Sequence, residues 1–269
     1  MDLSNARILL TGASGGIGTP LARRLAAAGA RLFMVGHDET GTPLAEELRR
    51  EGADAQYRHL DLLGAHTAPQ VVRVAQEALG GIDLLINLAG AMSFEAFTAE
   101  DPRITERLLR LNTLVPMQLA QSVLPGMLAQ QHGRIVNIGS IFGSIGFAYF
   151  ASYSATKFAL RGFSEALRRE LAGTGVGVTY IAPRAAKTGF NTDAVYRMAQ
   201  VMKMNLDEPD TVASAIVAAI RAERNETYIG WPEKLFVRIN ALLPRLVDKG
   251  VRKQNRQEAQ FVRPAKSTQ

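Results

Sequence analysis

The stretch "LLTGASGGIGTPLARRL", Leu9 to Leu25, constrains the fold more than any other part of the chain. An apolar run stops at a turn holding four glycines, and a helical pattern starts inside that turn. Gly12 can reverse the chain tightly, while Gly16 and Gly18 let another backbone or a pyrophosphate come close. Free N–H groups at the helix start, with the helix dipole behind them, favour an anion. Ser14 and Ile17 complete the candidate contacts of this loop. The spacing is T-G-x-x-x-G-x-G with Gly15 as an extra glycine, not G-x-G-x-x-G. No Lys-Ser/Thr pair comes after it, so it is not a P-loop. The loop alone is also compatible with a tight strand-to-helix turn that holds no ligand.

The rest of the chain repeats the strand–helix alternation. "ARILLTG", "RLFMVG", "QYRHL", "IDLLINL", "GRIVNIGS", "GVGVTYIAP" and "TYIG" are β-type runs. Helical patterns lie between them at about 18–28, 68–79, 102–130, 152–171 and 210–222, with another beginning at Thr42–Pro43 as N-cap and first helical residue. Apolar runs of this kind, separated by helices, predict an α/β fold with a doubly wound parallel sheet buried on both faces. Right-handed crossovers then give two mononucleotide-binding halves.

Several residues fall at strand ends, where a parallel sheet opens its ligand crevice. Asp61 comes after "QYRHL" and can accept from an adenine amino group, or serve only as a turn residue. Asn87, Ala89 and Gly90 end "IDLLINLAG" in a small-residue step against which a cofactor can lie. Asn87 can equally tie neighbouring strands together. Ser140 closes "GRIVNIGS", and thirteen residues later Tyr153 and Lys157 stand four apart on one helix face. A phenol of pKa about 10 is a poor base at neutral pH. A nearby ammonium favours the phenolate, and a serine hydroxyl can bond a carbonyl or alkoxide oxygen. Together the three suit proton transfer to or from a substrate oxygen.

With these motifs in order, the chain resembles the short-chain dehydrogenase/reductase family over about residues 5–230. The resemblance rests on "TGASGGIG", Asp61, "NLAG", Asn112 in "LLRLNTL", Ser140 and "YSATK". It implies a Rossmann-type single domain, with Tyr153 as general acid/base and Lys157 lowering its pKa and holding the nicotinamide ribose. It further implies that Ser140 orients the substrate oxygen and Asn112 organises a proton-relay water. In "APRAAKT", Pro183 is expected near the nicotinamide, and Thr188 on its carboxamide or the phosphate. Arg184 stands where that family has the glycine of Pro-Gly, and Leu88 where it has a second asparagine. These departures are expected to alter the local backbone path and the strand packing.

Cofactor choice rests on "FMVGHDET". An acid at the end of the second strand binds both ribose hydroxyls and repels a 2′-phosphate. Gly36 occupies that position with His37 next to it, so NADP(H) is expected over NAD(H). Asp38 lies close enough to oppose this, and Gly15 brings no basic residue to the loop. Phe142, Phe147, Tyr149 and Phe150 crowd the segment after Ser140. Phe190, Tyr196, Met198, Met202 and Met204 can form an adaptable lid. A lipophilic carbonyl or alcohol, a ketone, aldehyde or acyl substrate, is the expected small-molecule partner. Core or subunit packing is the competing explanation.

Charge separates the end of the chain from its body. The net charge is +6, and residues 233–269 carry all of it, with nine Lys/Arg against three Asp/Glu. The expected organisation is a catalytic domain at 1–232 and a basic amphipathic extension at 233–269. Leu235, Ile239, Leu242, Leu243 and Leu246 fall at helical spacing among Lys234, Arg238, Arg245 and Lys249, and Pro244 should break that helix. The apolar stripe is expected to dock on the body or a sister subunit. Contact with a membrane surface through 233–260 comes second. Nucleic acid is not expected, since no aromatic residues interleave the charges.

The chain has no cysteine, and its four histidines are scattered at 37, 59, 66 and 132, so no metal site is expected. No signal-peptide h-region or membrane-length apolar run is evident, which points to the cytoplasm. The expected function is NADPH-dependent interconversion of a carbonyl and an alcohol in a homodimer or homotetramer, built through helices 102–130 and 152–171. A nucleotide-sensing protein on the same fold, without turnover, is the alternative.

Overall fold

The computed structural model describes residues 1–64 and 66–262. Seven strands, β1 (Arg7–Thr11), β2 (Arg31–Gly36), β3 (Ala55–His59), β4 (Leu84–Asn87), β5 (Gly133–Ile138), β6 (Val176–Ala182) and β7 (Glu226–Tyr228), form one sheet. Their order is β3-β2-β1-β4-β5-β6-β7, and every pairing is parallel. The order reverses between β1 and β4, which opens the crevice there.

Helices cover both faces. They are α1 (Gly18–Ala27), α2 (Gly41–Arg50), α3 (Thr67–Leu79), α4 (Pro102–Leu109), α5 (Val115–Ala129), α6 (Ala151–Glu170), α7 (Asp193–Val201), α8 (Pro209–Arg221), α9 (Glu233–Leu242) and α10 (Pro244–Glu258). Alternate side chains of each strand feed opposite cores. Ile8, Leu10, Leu32 and Met34 meet Leu21 and Leu25 of α1, Leu48 of α2 and Ile216 of α8 on one face. Leu9, Phe33, Val35 and Leu85 meet Val71 of α3, Leu119 of α5 and Leu167 of α6 on the other. Burying a leucine this fully is worth about 1.5–3 kcal/mol, so both layers are firmly held.

Two local expectations change. The helix expected from Thr42–Pro43 starts earlier, at Gly41, with Thr40 ahead of it. The Asp38 carboxylate accepts from the Thr40 backbone N–H at 3.0 Å and from its hydroxyl, turning the chain sooner. Pro43 then sits in the first turn, where its missing N–H costs nothing. The helix expected over 102–130 is interrupted by a π-turn at Arg110–Leu114, which carries Asn112. Tyr196 and Met198 of the expected lid lie on helix α7.

Pro244 does separate α9 from α10. The docked face of α9, however, is not the leucine stripe. Val237 is buried, while Leu242, Leu243 and Leu246 are 81%, 57% and 58% exposed. Spacing alone identifies a stripe but not which side of the helix meets the body. The Lys249 side chain and residues 263–269 lie outside the described residues. Among the described residues, no helix is long and apolar enough to cross a membrane, and no cluster of metal-ligating side chains occurs.

Candidate active site

At the crevice, the loop after β1 lies against the loop after β4. Gly12 has φ +73°, and a Cβ there would stand 2.7 Å from the Ala89 nitrogen. Thr11 fastens the same contact: its hydroxyl oxygen accepts from the Leu88 and Ala89 N–H groups at 3.2 and 3.3 Å. A Cβ at Gly16 would stand 2.5 Å from Thr188, so the loop after β6 closes over the glycine turn from the other side. Gly18 sits against the carbonyls of Gly12 and Ala13. Ile17 caps α1 without a side-chain hydrogen bond, and no acidic residue occupies that helix's first turn. The helix start is therefore electropositive, as an anionic cofactor group requires.

The strand-end residues divide into two kinds. Asn87 is buried, and its Nδ2 donates to Asn137 Oδ1 at 2.8 Å. Asn137 in turn donates to Ser164 Oγ at 2.9 Å, which ties β4, β5 and α6 together. The Asn87 Oδ1 is buried without a hydrogen-bond partner among the described residues. Asp61 is exposed beyond the edge strand β3, and its carboxylate accepts from the Leu63 N–H at 2.9 Å. Asn112 is fully buried; its Oδ1 accepts from Ala91 N at 2.9 Å, and its Nδ2 donates to Ala91 O and Thr156 Oγ1. It thus pins the segment after Gly90 to the start of α6. Pro183 is buried, and its carbonyl accepts from Ile141 N at 3.1 Å.

Ser140, Tyr153 and Lys157 converge at the carboxyl ends of β4 and β5. The Ser140 hydroxyl accepts from Phe142 N at 3.1 Å and lies near enough to the Tyr153 phenol to favour its ionised form. Lys157 Nζ donates to Ile138 O at 3.0 Å and lies 5.7 Å from the Tyr153 ring centroid. Burial pushes the phenol up to about 12, with the Ser140 hydroxyl pulling the other way. Burial also lowers the Lys157 ammonium to about 8. The sequence-based picture of an ammonium drawing the phenol down is therefore reversed in the free chain: desolvation outweighs attraction across that separation. Tyr153 is held as a neutral phenol, a form suited to giving a proton away.

Tyr180 was not anticipated. Its ring fills the space over Gly139 and Gly143, and its hydroxyl donates to Ser140 O at 3.2 Å. It fixes the backbone on which Ser140 sits. Nothing in the local pattern marks this residue, because the fit comes from a neighbouring strand forty positions away.

The apolar wall is continuous. Phe150, Tyr153, Val195 and Met198 form a buried cluster, onto which Phe142, Phe147, Met202 and Met204 pack. The Phe142 and Phe147 rings stack at 4.4 Å, Phe142 meets Tyr153 edge-on at 6.0 Å, and the exposed Phe190 lies 6.2 Å from Tyr153. The Tyr196 hydroxyl donates to Thr188 O at 2.8 Å, which ties α7 to the loop over the glycine turn.

The end of β2 is sterically closed as well as uncharged. A Cβ at Gly36 would collide with the Tyr57 hydroxyl and stand 2.5 Å from Ser14 Oγ. His37 is exposed, with Nε2 3.6 Å from Asp38 Oδ2. Hydrogen bonding from Thr40, then His37 and Ser14 against some burial, holds the Asp38 carboxyl below its usual range. Arg184 is held by two carboxylates. Its guanidinium is paired with Asp207 at 2.6 Å and Glu233 at 3.1 Å, joining the loop after β6 to the start of α9. Leu88 packs against the core beneath β4.

Comparison with known proteins agrees with this geometry. The family model described as short chain dehydrogenase matches residues 6–198. The ketoacyl reductase HetN of Nostoc sp. is 31% identical, the match covering 92% of this chain and 88% of the relative. A short-chain dehydrogenase/reductase from Burkholderia phymatum in complex with NAD superposes with a TM-score of 0.83 at 22% identity, over 91% of this chain and 96% of that one. Actinorhodin polyketide ketoreductase with NADPH superposes with a TM-score of 0.75 at 28% identity, over 83% and 95% of the two chains.

Proposed function

Because the chain belongs to the short-chain dehydrogenase/reductase family, and is therefore an oxidoreductase acting on CH–OH and C=O groups with a nicotinamide cofactor, we propose that it reduces a lipophilic ketone, aldehyde or acyl carbonyl with NADPH. The observation that carries the reading is the buried Tyr153, with Ser140 near its phenol and Lys157 5.7 Å from its ring, set beside an apolar wall at the cofactor crevice.

The crevice suits the cofactor. Gly12, Gly16 and Gly18 admit the close packing of the turn against Ala89, Thr188 and its own carbonyls, and the start of α1 attracts the pyrophosphate. When bound, the nicotinamide supplies the hydride that reaches the carbonyl carbon, or accepts it in the reverse direction. Ser140 donates a hydrogen bond to the substrate oxygen and orients it. Tyr153 gives its proton to that oxygen as negative charge develops there. Lys157, held against β5 by the Ile138 carbonyl, faces Gly90 and binds the cofactor's ribose. Asn112 keeps the segment beyond Gly90 in place. The absence of an acid at Gly36 and the exposed imidazole of His37 favour a 2′-phosphate, with Asp38 limiting the preference. Ser140, Tyr153 and Lys157 are all present, which speaks against a cofactor sensor without turnover.

Tyr153→Phe tests the assignment. NADPH oxidation by the parent with a panel of carbonyls should fall by about a hundredfold or more in the variant. Equal turnover by both proteins sinks the acid/base role.

The enzyme works as a homodimer or homotetramer through α4, α5 and α6, where Leu109, Leu114, Met117 and Phe158 are exposed apolar residues. It acts in the cytoplasm, in peripheral contact with anionic membrane surfaces through residues 233–260. The outward leucines flanked by exposed Lys234, Arg238 and Arg245 support that contact.

A further inference from the structure

The end of the chain returns to the substrate side of the crevice. Two attachments frame it. At the first, Val237 of α9 is buried against Ile141 and Ile145, and Asn240 Nδ2 donates to Ser144 O at 3.0 Å. Both contacts fall on the segment directly after Ser140. At the second, α10 ends in a 3-10 turn, Ala259–Phe261, that lies against α7. There Phe261 packs on the buried cluster that contains Tyr153 and Met198. The extension thus grips both walls of the cleft, one with α9 and one with its last turn.

Phe261 comes after a polar and basic run, "RKQNRQEAQ", in which an aromatic side chain has no solvated purpose. It is half-buried, like Met202 and Met204 beside it. The 3-10 turn that carries it lies against α7, so it reaches the cluster from the α7 side. An aromatic ring at the far end of an apolar cleft sets how long a chain can lie there, because a few methylenes more must displace it.

We propose that Phe261 is a specificity-determining residue: it forms the distal wall of the substrate cleft and limits the length of the apolar chain carried by the substrate. The assignment rests on the lipophilic-substrate reading above. It gives the extension a part in choosing substrate, separate from any surface it offers to a membrane or a second subunit.

The test uses the full-length chain, with Phe261→Ala and Phe261→Trp beside the parent. Each is assayed with NADPH and straight-chain methyl ketones from butanone to tetradecanone, with melting temperature and NADPH binding as checks of folding. In the parent, kcat/KM should rise with chain length and then level off or fall. Phe261→Ala should move that limit to longer ketones, improving the ratio of long to short by about tenfold, chiefly through KM. Phe261→Trp should move it to shorter ones. A parent profile that depends on length but is unmoved in both folded variants overturns the Phe261 assignment and leaves the lipophilic reading standing. A profile flat in all three proteins overturns both.

Discussion

Lys157 Nζ sits 5.7 Å from the centre of the Tyr153 ring, yet its hydrogen bond goes to the Ile138 carbonyl. The ammonium is thus buried, lowered to about 8, and held ready for a partner outside the protein.

Holding it there costs stability. Below about pH 8 the lysine is charged both folded and unfolded, and the folded chain bears the full desolvation cost. Between about 8 and the ordinary lysine value of 10.5 the folded chain gives up the proton while the unfolded chain keeps it, so stability rises with pH. Above that range the cost is gone. Lys157→Met should therefore be the more stable protein at pH 7, by up to about 3 kcal/mol less the lost hydrogen bond. That advantage should shrink by a similar amount at alkaline pH. Urea unfolding of both proteins across the range measures it; a pH-independent difference contradicts the buried-ammonium account.

Cofactor choice should respond to Asp38 more cleanly than to Gly36. Asp38→Asn removes an anion fixed by Thr40 beside Ser14 and should raise the NADPH-to-NADH ratio of kcat/KM by about tenfold. Gly36→Asp should mainly destabilise, because its side chain meets the Tyr57 hydroxyl. Kinetics with both cofactors, alongside melting curves, separate the two effects. A parent that strongly prefers NADH contradicts the NADPH proposal outright.

Gly12→Ala should cost about 2–4 kcal/mol and abolish cofactor binding. The residue has positive φ, and the added carbon would stand 2.7 Å from the Ala89 nitrogen, a backbone atom that cannot swing aside. Gly52, also at positive φ but with open space around it, supplies the comparison: alanine there should cost only about 1 kcal/mol and leave NADPH binding intact. Chemical denaturation and cofactor fluorescence titration check both.

The outward leucines should bind lipid. Cosedimentation with phosphatidylserine-containing vesicles should drop at least fivefold in a Leu242→Glu/Leu246→Glu variant, and should weaken with added salt. Lipid binding left intact by truncation after Trp231 contradicts the contact.

Much of the fold was legible because burial on two faces forces long apolar strands, and the glycine turn after β1 leads directly into a helix. The sequence also identified Ser140, Tyr153 and Lys157, which the sheet brings to one edge. Contact between distant segments escaped it. Gly36 reads as a missing acid until Tyr57 is seen filling the space. The π-turn that carries Asn112 has no local signature, since its side-chain bonds go to Ala91 and Thr156. The lysine–tyrosine spacing suggested attraction, while burial, invisible in a helix pattern, reverses the balance.

Phe261 is made after every residue assigned to the cofactor, the last of which is Thr188, whereas the glycine turn against Ala89 belongs to the first ninety residues. Synthesis from the N-terminus therefore completes the cofactor side of the molecule well before the substrate side. A chain whose cofactor residues are all made still lacks the ring that limits its substrate.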